Sequence, residues 1–388
     1  MNASSGPQPS GAWLGVLGGG QLGRMFCHAA QAMGYRVAVL DPGETSPAGM
    51  VADWHIRAAY DDPVALDQLA QRCVAVTTEF ENVPADSLRR LSRTCITAPS
   101  GDCVAIAQDR LDEKAFIHDS GAAVVPHAAV RTPADLQTCD AALFPGILKT
   151  ARLGYDGKGQ VRVADRGQAL QAFEALHDVP CVLEALQPLD YEISVMVARD
   201  LSGNAVTYPP SRNRHRDGIL ALSLVDGSVP EAVAGRARDD ALRIARALDY
   251  HGVLGVEFFV LRDGRVIANE MAPRPHNSGH YTQDACLVSQ FEQQARIMAG
   301  LPLGGTDVLR PAAMLNLLGD LWFDARDQRR EPDWSGVLAV PGTRLHLYAK
   351  SEARPGRKMG HVNLLADTAT ELHARIARVA AVLGLPDV

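Results

Sequence analysis

One hairpin near the middle of the chain restricts the possible folds more than any other stretch. An apolar run, V-L-G-V-E-F-F-V-L, is followed by R-D-G-R and then by V-I-A-N-E. Asp-Gly is the strongest short-range signal for a β-hairpin, and a two-residue loop at Asp263 and Gly264 fixes the strand register. The register that follows pairs Val260 with Ile267, Arg262 with Arg265, and Glu257 with Glu270.

The predicted pairing of Glu257 with Glu270 is unusual because both side chains are acidic. Directly opposed residues lie about 4.5–5.5 Å apart, so two carboxylates placed in this way repel each other. A cation between them removes the repulsion, and carboxylates that act together with substrate phosphates are typical of Mg²⁺ sites. The hairpin therefore predicts a nucleotide-using enzyme. The alternative is an exposed hairpin with two solvated glutamates, although Glu257 stands inside an apolar strand, where unpaired carboxylates are seldom buried.

Length and composition limit the remaining possibilities. A chain of 388 residues is long enough for two or three domains. Its net charge of -7, without a long run of one sign, argues against nucleic acid as the main partner. Seven scattered cysteines without zinc spacing are typical of reduced thiols, so we expect a cytoplasmic protein. No apolar run approaches the roughly 20 residues needed to span a bilayer, and we expect no membrane partner. Residues 1–11 are polar and predict a disordered tail.

The order of apolar and helical patterns indicates the fold class. Over the first hundred residues short apolar strands alternate with helices, which predicts a parallel α/β layer. The predicted strands there are Trp13–Leu17, Arg36–Leu40, 74–78 and 95–97, and the predicted helices are 21–33, 65–72, 85–92 and a single stretch at 102–120. From about residue 144 strands and hairpins predominate. They include strands at 147–150, 159–164, 181–184, 192–198, Ala312–Leu318 and 344–347, with helices at 236–248, 289–299 and 370–383.

Two glycine-rich motifs could each hold a phosphate. G-G-G-Q-L-G, at residues 18–23, follows a strand and opens a helix, and Asp41 ends the next strand where a ribose-binding acid belongs. This pattern indicates either NAD binding or a tight turn that offers a helix N-terminus to some anion. An NAD-dependent dehydrogenase is therefore an alternative function. G-Y-D-G-K-G-Q, at residues 154–160, follows Lys149 and lies between two strands, as a phosphate-covering hairpin or a plain flexible one.

Three further stretches carry weaker signals. Residues 180–186 read as a strand that runs into an adenine-binding hinge, with Glu192 nearby for ribose hydroxyls, or else as a core strand. Residues 212–218 form a basic stretch that predicts a loop, either functional or merely solvated. Near the C-terminus four cations surround a Pro-Gly turn and suit a phosphomonoester, although a charged surface loop is the alternative. These cations are Lys350, Arg354, Arg357 and Lys358.

Taken together, the motifs resemble the ATP-grasp superfamily, and within it the N5-carboxyaminoimidazole ribonucleotide synthetases. The matching text is G-G-G-Q-L-G-R-M at 18–25, T-E-F-E-N-V at 78–83, G-Y-D-G-K-G-Q at 154–160, N-E-x-A-P-R-P-H-N-S-G-H at 269–280 and R-P-G-R-K-M-G-H at 354–361. The last two motifs are specific to this family, whereas the glycine loops are not. The resemblance runs from about Trp13 to the end of the chain.

The resemblance implies an α/β and α+β architecture of three domains. These are a Rossmann-like preATP-grasp domain at 12–110, an ATP-grasp domain at 111–305 with a mobile lid at about 120–190, and a small C-terminal domain at 306–388. It also implies a homodimer that uses ATP, bicarbonate and Mg²⁺ to carboxylate the exocyclic amine of 5-aminoimidazole ribonucleotide through carboxyphosphate, in purine biosynthesis. A catalytically inactive ATP-grasp fold that serves as a binding module is a third alternative.

The resemblance also implies a role for each matching residue. The implied ATP contacts are Arg110, Lys149, Gly154, Tyr155, Asp156, Gly157, Lys158, Gly159, Gln160, Glu184, Ala185, Leu186, Gln187, Glu192, His215, Asn269 and Glu270. The implied Mg²⁺ ligands are Glu257 and Glu270. The implied bicarbonate contacts are Arg274, His276 and Asn277, with Asp156 as the base for the amine proton and the departing phosphate as its rival. The implied ribonucleotide contacts are Gln21, Glu79, Tyr155, Lys158, Lys350 and Arg357. Many relatives carry arginine in place of Lys158, which keeps the charge and loses the planar fork.

Overall fold

The computed structural model of the protein describes residues 6–154, 158–324 and 326–385. Within these ranges the strands are β1 (Trp13–Leu17), β2 (Arg36–Leu40), β3 (Trp54–Ile56), β4 (Cys73–Thr78), β5 (Ile96–Thr97), β6 (His127–Val130), β7 (Gly146–Thr150), β8 (Gln160–Val163), β9 (Cys181–Ala185), β10 (Leu189–Arg199), β11 (Ala205–Thr207), β12 (Ser211–Arg216), β13 (Ile219–Val225), β14 (Gly252–Leu261), β15 (Val266–Ala272), β16 (Ala312–Leu318), β17 (Thr343–Leu347) and β18 (Lys358–Leu365). The helices are α1 (Gln21–Ala32), α2 (Pro63–Arg72), α3 (Ala85–Leu91), α4 (Gly101–Ala107), α5 (Arg110–Asp119), α6 (Pro133–Thr138), α7 (Arg166–Ala175), α8 (Glu231–Ala247), α9 (Thr282–Ala285), α10 (Gln290–Met298), α11 (Trp334–Leu338) and α12 (Ala369–Leu383).

The first sheet is the predicted parallel α/β layer. Its strand order is β3-β2-β1-β4-β5, and every pairing in it is parallel. Four of the five residues of β1 and of β2 are buried, as expected for strands covered on both faces. The three-residue β3 at the edge was not predicted. Residues 6–11 of the predicted tail lie within the described part of the chain, where Gln8 donates its backbone N–H to Ala299 O at 2.8 Å and Gln8 O accepts from the Tyr35 hydroxyl at 3.2 Å.

The predicted single helix at 102–120 is wrong, since two helices occupy this stretch. The first, α4, ends before Gln108, and Asp109 has extended backbone and accepts a hydrogen bond from the Leu111 N–H at 3.0 Å. Asp109 thus caps a new helix, α5, whose first residue is Arg110. No proline or glycine marks the break in the sequence. The break places the first turn of α5 against β15.

A nine-stranded sheet forms the centre of the molecule. Its order is β15-β14-β10-β12-β13-β16-β18-β17, with β11 beside β10, so strands from the last eighty residues extend the sheet. Helix α8 packs on β10 and β14 through small and aliphatic side chains spaced three or four apart, such as Ala237, Ala241 and Ile244. The basic stretch at 212–218 is mostly strand β12, and the loop prediction is wrong. The buried Asn213 hydrogen-bonds three serines: Ser211 on β12 itself, Ser194 on the neighbouring β10 and Ser223 on the neighbouring β13.

A third, four-stranded sheet has the order β6-β9-β7-β8 and is antiparallel throughout. Helices α6 and α7 cover one of its faces around Phe173 and Leu148. The second glycine motif connects β7 to β8, although its residues 155–157 lie outside the described part of the chain. Across residues 6–154, 158–324 and 326–385 there is no helix with the length and apolar character needed to cross a membrane.

Candidate active site

One large cavity, about 1560 Å³ in volume, is lined by residues from the nine-stranded and four-stranded sheets, together with residues of α1 and of the loop after β4 beside the first sheet. A pocket for one small ligand usually measures about 300–1,000 Å³, so this cavity has room for two substrates. Among the described residues to which the resemblance assigns a role, all except Gly159 line it: Gln21, Glu79, Arg110, Lys149, Gly154, Lys158, Gln160, Glu184, Ala185, Leu186, Gln187, Glu192, His215, Glu257, Asn269, Glu270, Arg274, His276, Asn277, Lys350 and Arg357. The predicted residues Tyr155, Asp156 and Gly157 lie outside the described residues.

The pairing of Glu257 with Glu270 is confirmed, but the loop length and the strand register between the pair and the loop differ from the prediction. The Leu261 N–H donates to Arg265 O at 2.9 Å, so the loop has three residues and ends at Gly264, whose φ is +83°. The predicted pairs Val260 with Ile267 and Arg262 with Arg265 are therefore wrong, and Val260 faces Val266. A bulge at Asn269 shifts the register back by one residue before Glu270.

The bulge at Asn269 has a chemical consequence. In a regular strand, neighbouring side chains point to opposite faces, so only one of two successive residues would face the cavity. Here both Asn269 and Glu270 line it, opposite Glu257. Bulges beside active sites commonly redirect a side chain in this way. The strand thus presents an amide oxygen and a carboxylate together.

The electrostatics of the pair suit a bound cation. Burial and the neighbouring Glu270 carboxylate raise the pKa of Glu257 above its usual range. Burial also raises the pKa of Glu270, but the Arg110 guanidinium, 2.9 Å from Glu270 Oε2, outweighs burial, and the net shift of this pKa is downward. Asn269 Oδ1 is buried, and no other described residue hydrogen-bonds it.

Two carboxylates and one amide oxygen are hard donors that fit Mg²⁺. No group of three or more His, Cys, Asp or Glu side chains suited to a metal occurs among the residues that the structure describes. A cation bound between Glu257 and Glu270 would therefore need further ligands from a substrate or from water. That requirement matches the way Mg²⁺ usually binds, through one or two carboxylates together with phosphates.

Helix α5 fixes the strand that carries this pair. Three of its residues, at positions i, i+3 and i+4, share one face and contact three consecutive residues of β15. The contacts are Arg110 Nη1 to Glu270 Oε2 at 2.9 Å, the Met271 N–H to Glu113 Oε1 at 2.6 Å, and Lys114 Nζ to Asn269 O at 3.3 Å. Burial raises the pKa of Glu113 to about 8. Glu113 and Lys114 were not predicted as site residues, and their helical spacing from Arg110 was the signal that could have found them.

A buried carboxylate with two lysines lies on the small sheet. Glu184 Oε2 is 2.7 Å from Lys149 Nζ, and Glu184 Oε1 is 2.8 Å from Lys114 Nζ. Burial raises the pKa of Glu184, but the two ammonium groups outweigh it and lower this pKa to about 2. The sequence placed Lys149 at phosphates and Glu184 at adenine, whereas the structure brings the two side chains into contact with each other.

A second ion pair lies on the large sheet beside the carboxylate pair. His215 Nδ1 on β12 is 3.0 Å from Glu192 Oε2 on β10. Burial lowers the pKa of His215, but the Glu192 carboxylate outweighs burial and raises this pKa above its usual range. His215 therefore keeps its proton to a higher pH than a free histidine would.

The residues after β15 bring a second set of polar groups into the cavity. Arg274 Nε lies 2.6 Å from Glu81 Oε2, so a residue of the loop after β4 holds this guanidinium. Burial raises the pKa of Glu81, but Arg274 outweighs it and lowers the pKa to about 2. Glu81 lies within T-E-F-E-N-V but was not predicted as a site residue.

His276 and Asn277 lie next to this pair. His276 Nδ1 is 2.8 Å from Ser278 Oγ, and its Nε2 is 3.5 Å from Glu257 Oε1. Burial and the Arg274 charge lower the pKa of His276 to about 3, so the ring is neutral at physiological pH. Asn277 Nδ2 is buried, and nothing else in the described ranges accepts a hydrogen bond from it. The group thus offers one fixed cation and neutral polar atoms to a small anion.

Cations from the connection between β17 and β18 also line the cavity. Lys350 donates to Lys358 O at 2.7 Å, and Arg357 donates to Glu352 O at 2.7 Å. These contacts hold the side chains of Lys350 and Arg357 beside the glycine turn at Gly356. The predicted fork of cations therefore faces the same space as the carboxylate pair.

The first glycine motif binds carboxylates of the protein itself. The Gly20 N–H donates to Glu79 Oε1 at 2.7 Å, and the Gly19 N–H donates to Asp41 Oδ2 at 2.8 Å. Asp41 Oδ2 also accepts from the Tyr60 hydroxyl at 2.6 Å. A Cβ added at Gly20 would lie 2.4 Å from Glu79 Oε1, so glycine is needed for this close approach.

Three protein-family models match successive parts of the chain. A ribonucleotide synthetase preATP-grasp domain matches residues 12–108, an ATP-grasp domain matches 115–291, and a phosphoribosylaminoimidazole carboxylase C-terminal domain matches 312–375. The N5-carboxyaminoimidazole ribonucleotide synthase of Brucella melitensis is 47% identical over 358 residues, which cover 91% of this chain and 96% of that protein. The chain belongs to the N5-carboxyaminoimidazole ribonucleotide synthases.

Other members of the synthase family agree in sequence and in structure. The Bacillus subtilis N5-carboxyaminoimidazole ribonucleotide synthase is 41% identical over 356 residues, which cover 92% of both chains. A crystal structure of N5-carboxyaminoimidazole synthase from Aspergillus clavatus, in complex with ADP and 5-aminoimidazole ribonucleotide, matches with a TM-score of 0.87 and 31% identity over 97% of this chain and 99% of that one. The predicted ATP-grasp fold, with its preATP-grasp and C-terminal domains, is confirmed.

Membership in the synthase family shows that the NAD alternative is wrong. The physical reason lies in the glycine turn, where the amides of Gly19 and Gly20 already hold Asp41 and Glu79. A dinucleotide phosphate needs those amides, and a ribose needs the Asp41 carboxylate. The G-x-G-x-x-G spacing indicates that some group lies close to the glycine backbone, and in this chain the groups are carboxylates of the protein itself.

Proposed function

We propose that this chain uses ATP and bicarbonate to carboxylate the exocyclic amine of 5-aminoimidazole ribonucleotide. The products are N5-carboxyaminoimidazole ribonucleotide, ADP and phosphate, in purine biosynthesis. The observation that carries the proposal is the single cavity, which holds a carboxylate pair, buried lysines and a separate fork of cations. A nucleotide triphosphate and a ribonucleotide monophosphate both need such cations.

ATP is proposed to lie between the small sheet and the large one. The apolar side chains of Ile147, Leu186 and Phe259 line this part of the cavity and suit the faces of adenine. Glu192 is proposed to bind the ribose, and Arg110, Lys149 and His215 to contact the phosphates. Glu257, Glu270 and Asn269 would hold Mg²⁺, which neutralises charge on the phosphate oxygens when it is bound. The remaining ATP contacts are proposed from the resemblance: residues 154–160, Ala185 and Gln187.

Bicarbonate is a poor electrophile, and ATP first converts it to carboxyphosphate in this proposal. Arg274, held by Glu81, offers a fixed cation to the bicarbonate oxygens, and the neutral His276 and Asn277 offer hydrogen bonds. Preorganised groups of this kind stabilise developing charge without the cost of reorganising solvent. Carboxyphosphate hydrolyses readily, so the glycine loop is proposed to close and exclude water.

The ribonucleotide is proposed to occupy the side of the cavity lined by the C-terminal cations. Lys350, Arg357 and Lys158 would contact its phosphate, while Gln21, Glu79 and Tyr155 would contact the rest of the molecule. Carboxyphosphate is proposed to release CO₂ beside the exocyclic amine. Asp156, or the departing phosphate, accepts the amine proton.

A coupled assay of ADP release tests the proposed reaction. Release should require bicarbonate and be stimulated strongly by 5-aminoimidazole ribonucleotide. Equal release without the ribonucleotide, or with biotin in its place, would assign the chain to another ATP-grasp activity. A protein that binds ATP but never releases ADP would be the inactive binding module.

A variant tests the metal assignment within the same assay. Glu270→Ala should abolish turnover while the protein stays folded, as judged by its circular dichroism and melting temperature. The control is Glu174→Ala, which changes an exposed glutamate on α7. Near-normal turnover of Glu270→Ala would contradict the assignment of Glu270 to the metal.

We also propose the division into domains at residues 12–110, 111–305 and 306–388, with a mobile lid at about 120–190. A homodimer and a cytoplasmic location are further proposals that rest on the resemblance to the family. Light scattering coupled to size exclusion would measure the mass in solution. A single species with the mass of one chain, at the concentration of the activity assay, would contradict the dimer.

A further inference from the structure

The lysines of this chain are confined to one place. Of 38 lysines and arginines only five are lysines, so arginine supplies the other positive charges. Four of the lysines line the cavity: Lys149, Lys158, Lys350 and Lys358. The fifth, Lys114, contacts Glu184, which lines the cavity itself. All five lysines therefore lie at this cavity or in contact with a residue that lines it.

Lys114 is almost completely buried. Its side chain is 1% exposed, with Nζ 2.8 Å from Glu184 Oε1 and 3.3 Å from Asn269 O. Glu184 belongs to β9 of the small sheet, and Asn269 belongs to β15 of the large one. One ammonium thus joins the two sheets between which the nucleotide is proposed to bind. The planar fork of arginine is larger and demands a different geometry.

The arrangement solves a problem that Lys149 creates. Lys149 contacts Glu184 here, yet the proposed function places its ammonium on the phosphates of ATP. If Lys149 were the sole partner of Glu184, that movement would leave a buried carboxylate without a counter-ion, which is strongly unfavourable. Lys114 contacts the other carboxylate oxygen, so the charge of Glu184 stays compensated when Lys149 departs.

We propose that Lys114 is a positioning residue, which stays on the Glu184 carboxylate while Lys149 turns to the phosphates of ATP. Lys114 therefore acts on the nucleotide through Lys149 and Glu184 and does not touch it. It also holds β9 against β15 in both states. The proposal rests on the proposed function, because that function assigns Lys149 to the phosphates.

The test is a double-mutant cycle on nucleotide affinity. Without Lys114, Glu184 has Lys149 alone and retains it, so Lys114→Met should weaken ADP binding about tenfold, as for the loss of one charge-assisted contact. Lys149→Met should weaken it by at least as much. Adding Lys114→Met to the double variant Lys149→Met/Glu184→Gln, in which residue 184 needs no counter-ion, should then change the affinity by less than about twofold, because the residue through which Lys114 acts is already gone.

The control is Arg199→Met, which removes a largely buried cation from β10, away from the cavity. This control should lower the melting temperature and leave the Kd for ADP unchanged. If Lys114→Met weakens ADP binding about tenfold in the Lys149→Met/Glu184→Gln background as well, Lys114 has a merely structural role and the proposal fails.

A second comparison keeps the proposal testable if Lys114→Met does not fold. The double variant Lys114→Met/Glu184→Gln removes both charges of the pair, and its ADP affinity should lie within about threefold of that of Glu184→Gln alone. A further loss would overturn the proposal. The wild-type ADP-release assay separates the two levels of inference. If release is independent of bicarbonate and ribonucleotide, the proposed function fails; if that assay succeeds and the cycle is multiplicative, only the role of Lys114 fails.

Discussion

Replacing Glu257 by glutamine should make the nucleotide-free protein more stable and inactive at the same time. Glu257 and Glu270 are directly opposed on β14 and β15, and glutamine keeps the shape of the side chain while it removes one charge. The repulsion within the pair then disappears. The same substitution removes a proposed metal ligand, so turnover should be lost.

The size of the stabilisation follows from the spacing of the pair. Two unit charges about 5 Å apart, at an effective dielectric constant of about 20, repel each other by roughly 3 kcal/mol. Arg110 lies 2.9 Å from Glu270 and offsets part of this repulsion. We therefore expect Glu257→Gln to raise the free energy of unfolding by about 1–2 kcal/mol, which corresponds to a rise in Tm of about 1–3 °C for a chain of 388 residues.

The pH dependence has a definite sign. Burial and Glu270 raise the pKa of Glu257 in the folded state, so the folded protein holds a proton that the unfolded chain has lost. Stability therefore falls as the pH rises from the ordinary glutamate pKa of 4.5 towards the raised value. The variant lacks this loss, and its advantage in Tm should grow between about pH 5 and about pH 8.

Differential scanning calorimetry in EDTA, without nucleotide, measures this difference. Glu174→Gln is the control, because it removes the charge of an exposed glutamate. A Tm of Glu257→Gln below that of the wild type at about pH 8 would refute the argument from repulsion. Retained ADP release by the variant would refute the assignment of Glu257 to the metal.

Three further predictions address other parts of the cavity. Glu192 raises the pKa of His215, so the KM for ATP should rise once the pH passes this raised pKa, which lies above the ordinary histidine value of 6.5, and a proton leaves His215. His215→Gln should flatten this profile, and an unchanged profile would exclude His215 from phosphate binding. Limited acylation of amines should modify the exposed Lys158 first and inactivate the enzyme, and ATP should slow both events. Peptide mass spectrometry measures the modification, and inactivation that ATP does not slow would contradict the place of Lys158 at the site. Glu81→Gln should release Arg274 and raise the KM for bicarbonate about tenfold with little change in the KM for ATP, whereas equal changes in both would indicate a general disturbance of the cavity.

The elements that were predicted correctly are those whose own residues are apolar enough to indicate that they are buried. Strands β1 and β2 are short apolar runs covered on both faces, and their predicted bounds agree with the structure. Strand β12 reads S-R-N-R-H-R and has no apolar residue. Its buried Asn213 hydrogen-bonds Ser194 on β10 and Ser223 on β13, and partners on neighbouring strands are not visible in a short stretch of sequence.

The residues of the site also fall into a predicted group, which lies within sequence motifs, and a group that was not predicted. Residues inside motifs were predicted to meet, and the cavity brings the described ones together. Glu113 and Lys114 lie outside the motifs, and their contacts with β15 depend on how α5 docks. The pair of Glu257 and Glu270 was predicted correctly although the loop length was wrong, because the bulge at Asn269 compensates for the longer loop. Neither deviation could be derived from the Asp-Gly signal alone.

The charge of the whole chain and the charge of the cavity have opposite signs, which bears on how anionic substrates enter. A net charge of -7 opposes the approach of a nucleotide at long range. Salt at physiological strength screens charges beyond about 8 Å, so the groups that line the cavity dominate once a substrate reaches its mouth. Those groups include all the lysines except Lys114, together with Arg110 and Arg357. Overall composition therefore excluded a nucleic-acid surface and said nothing against an anion-binding cavity, because the lysines that build the cavity are too few to alter the average.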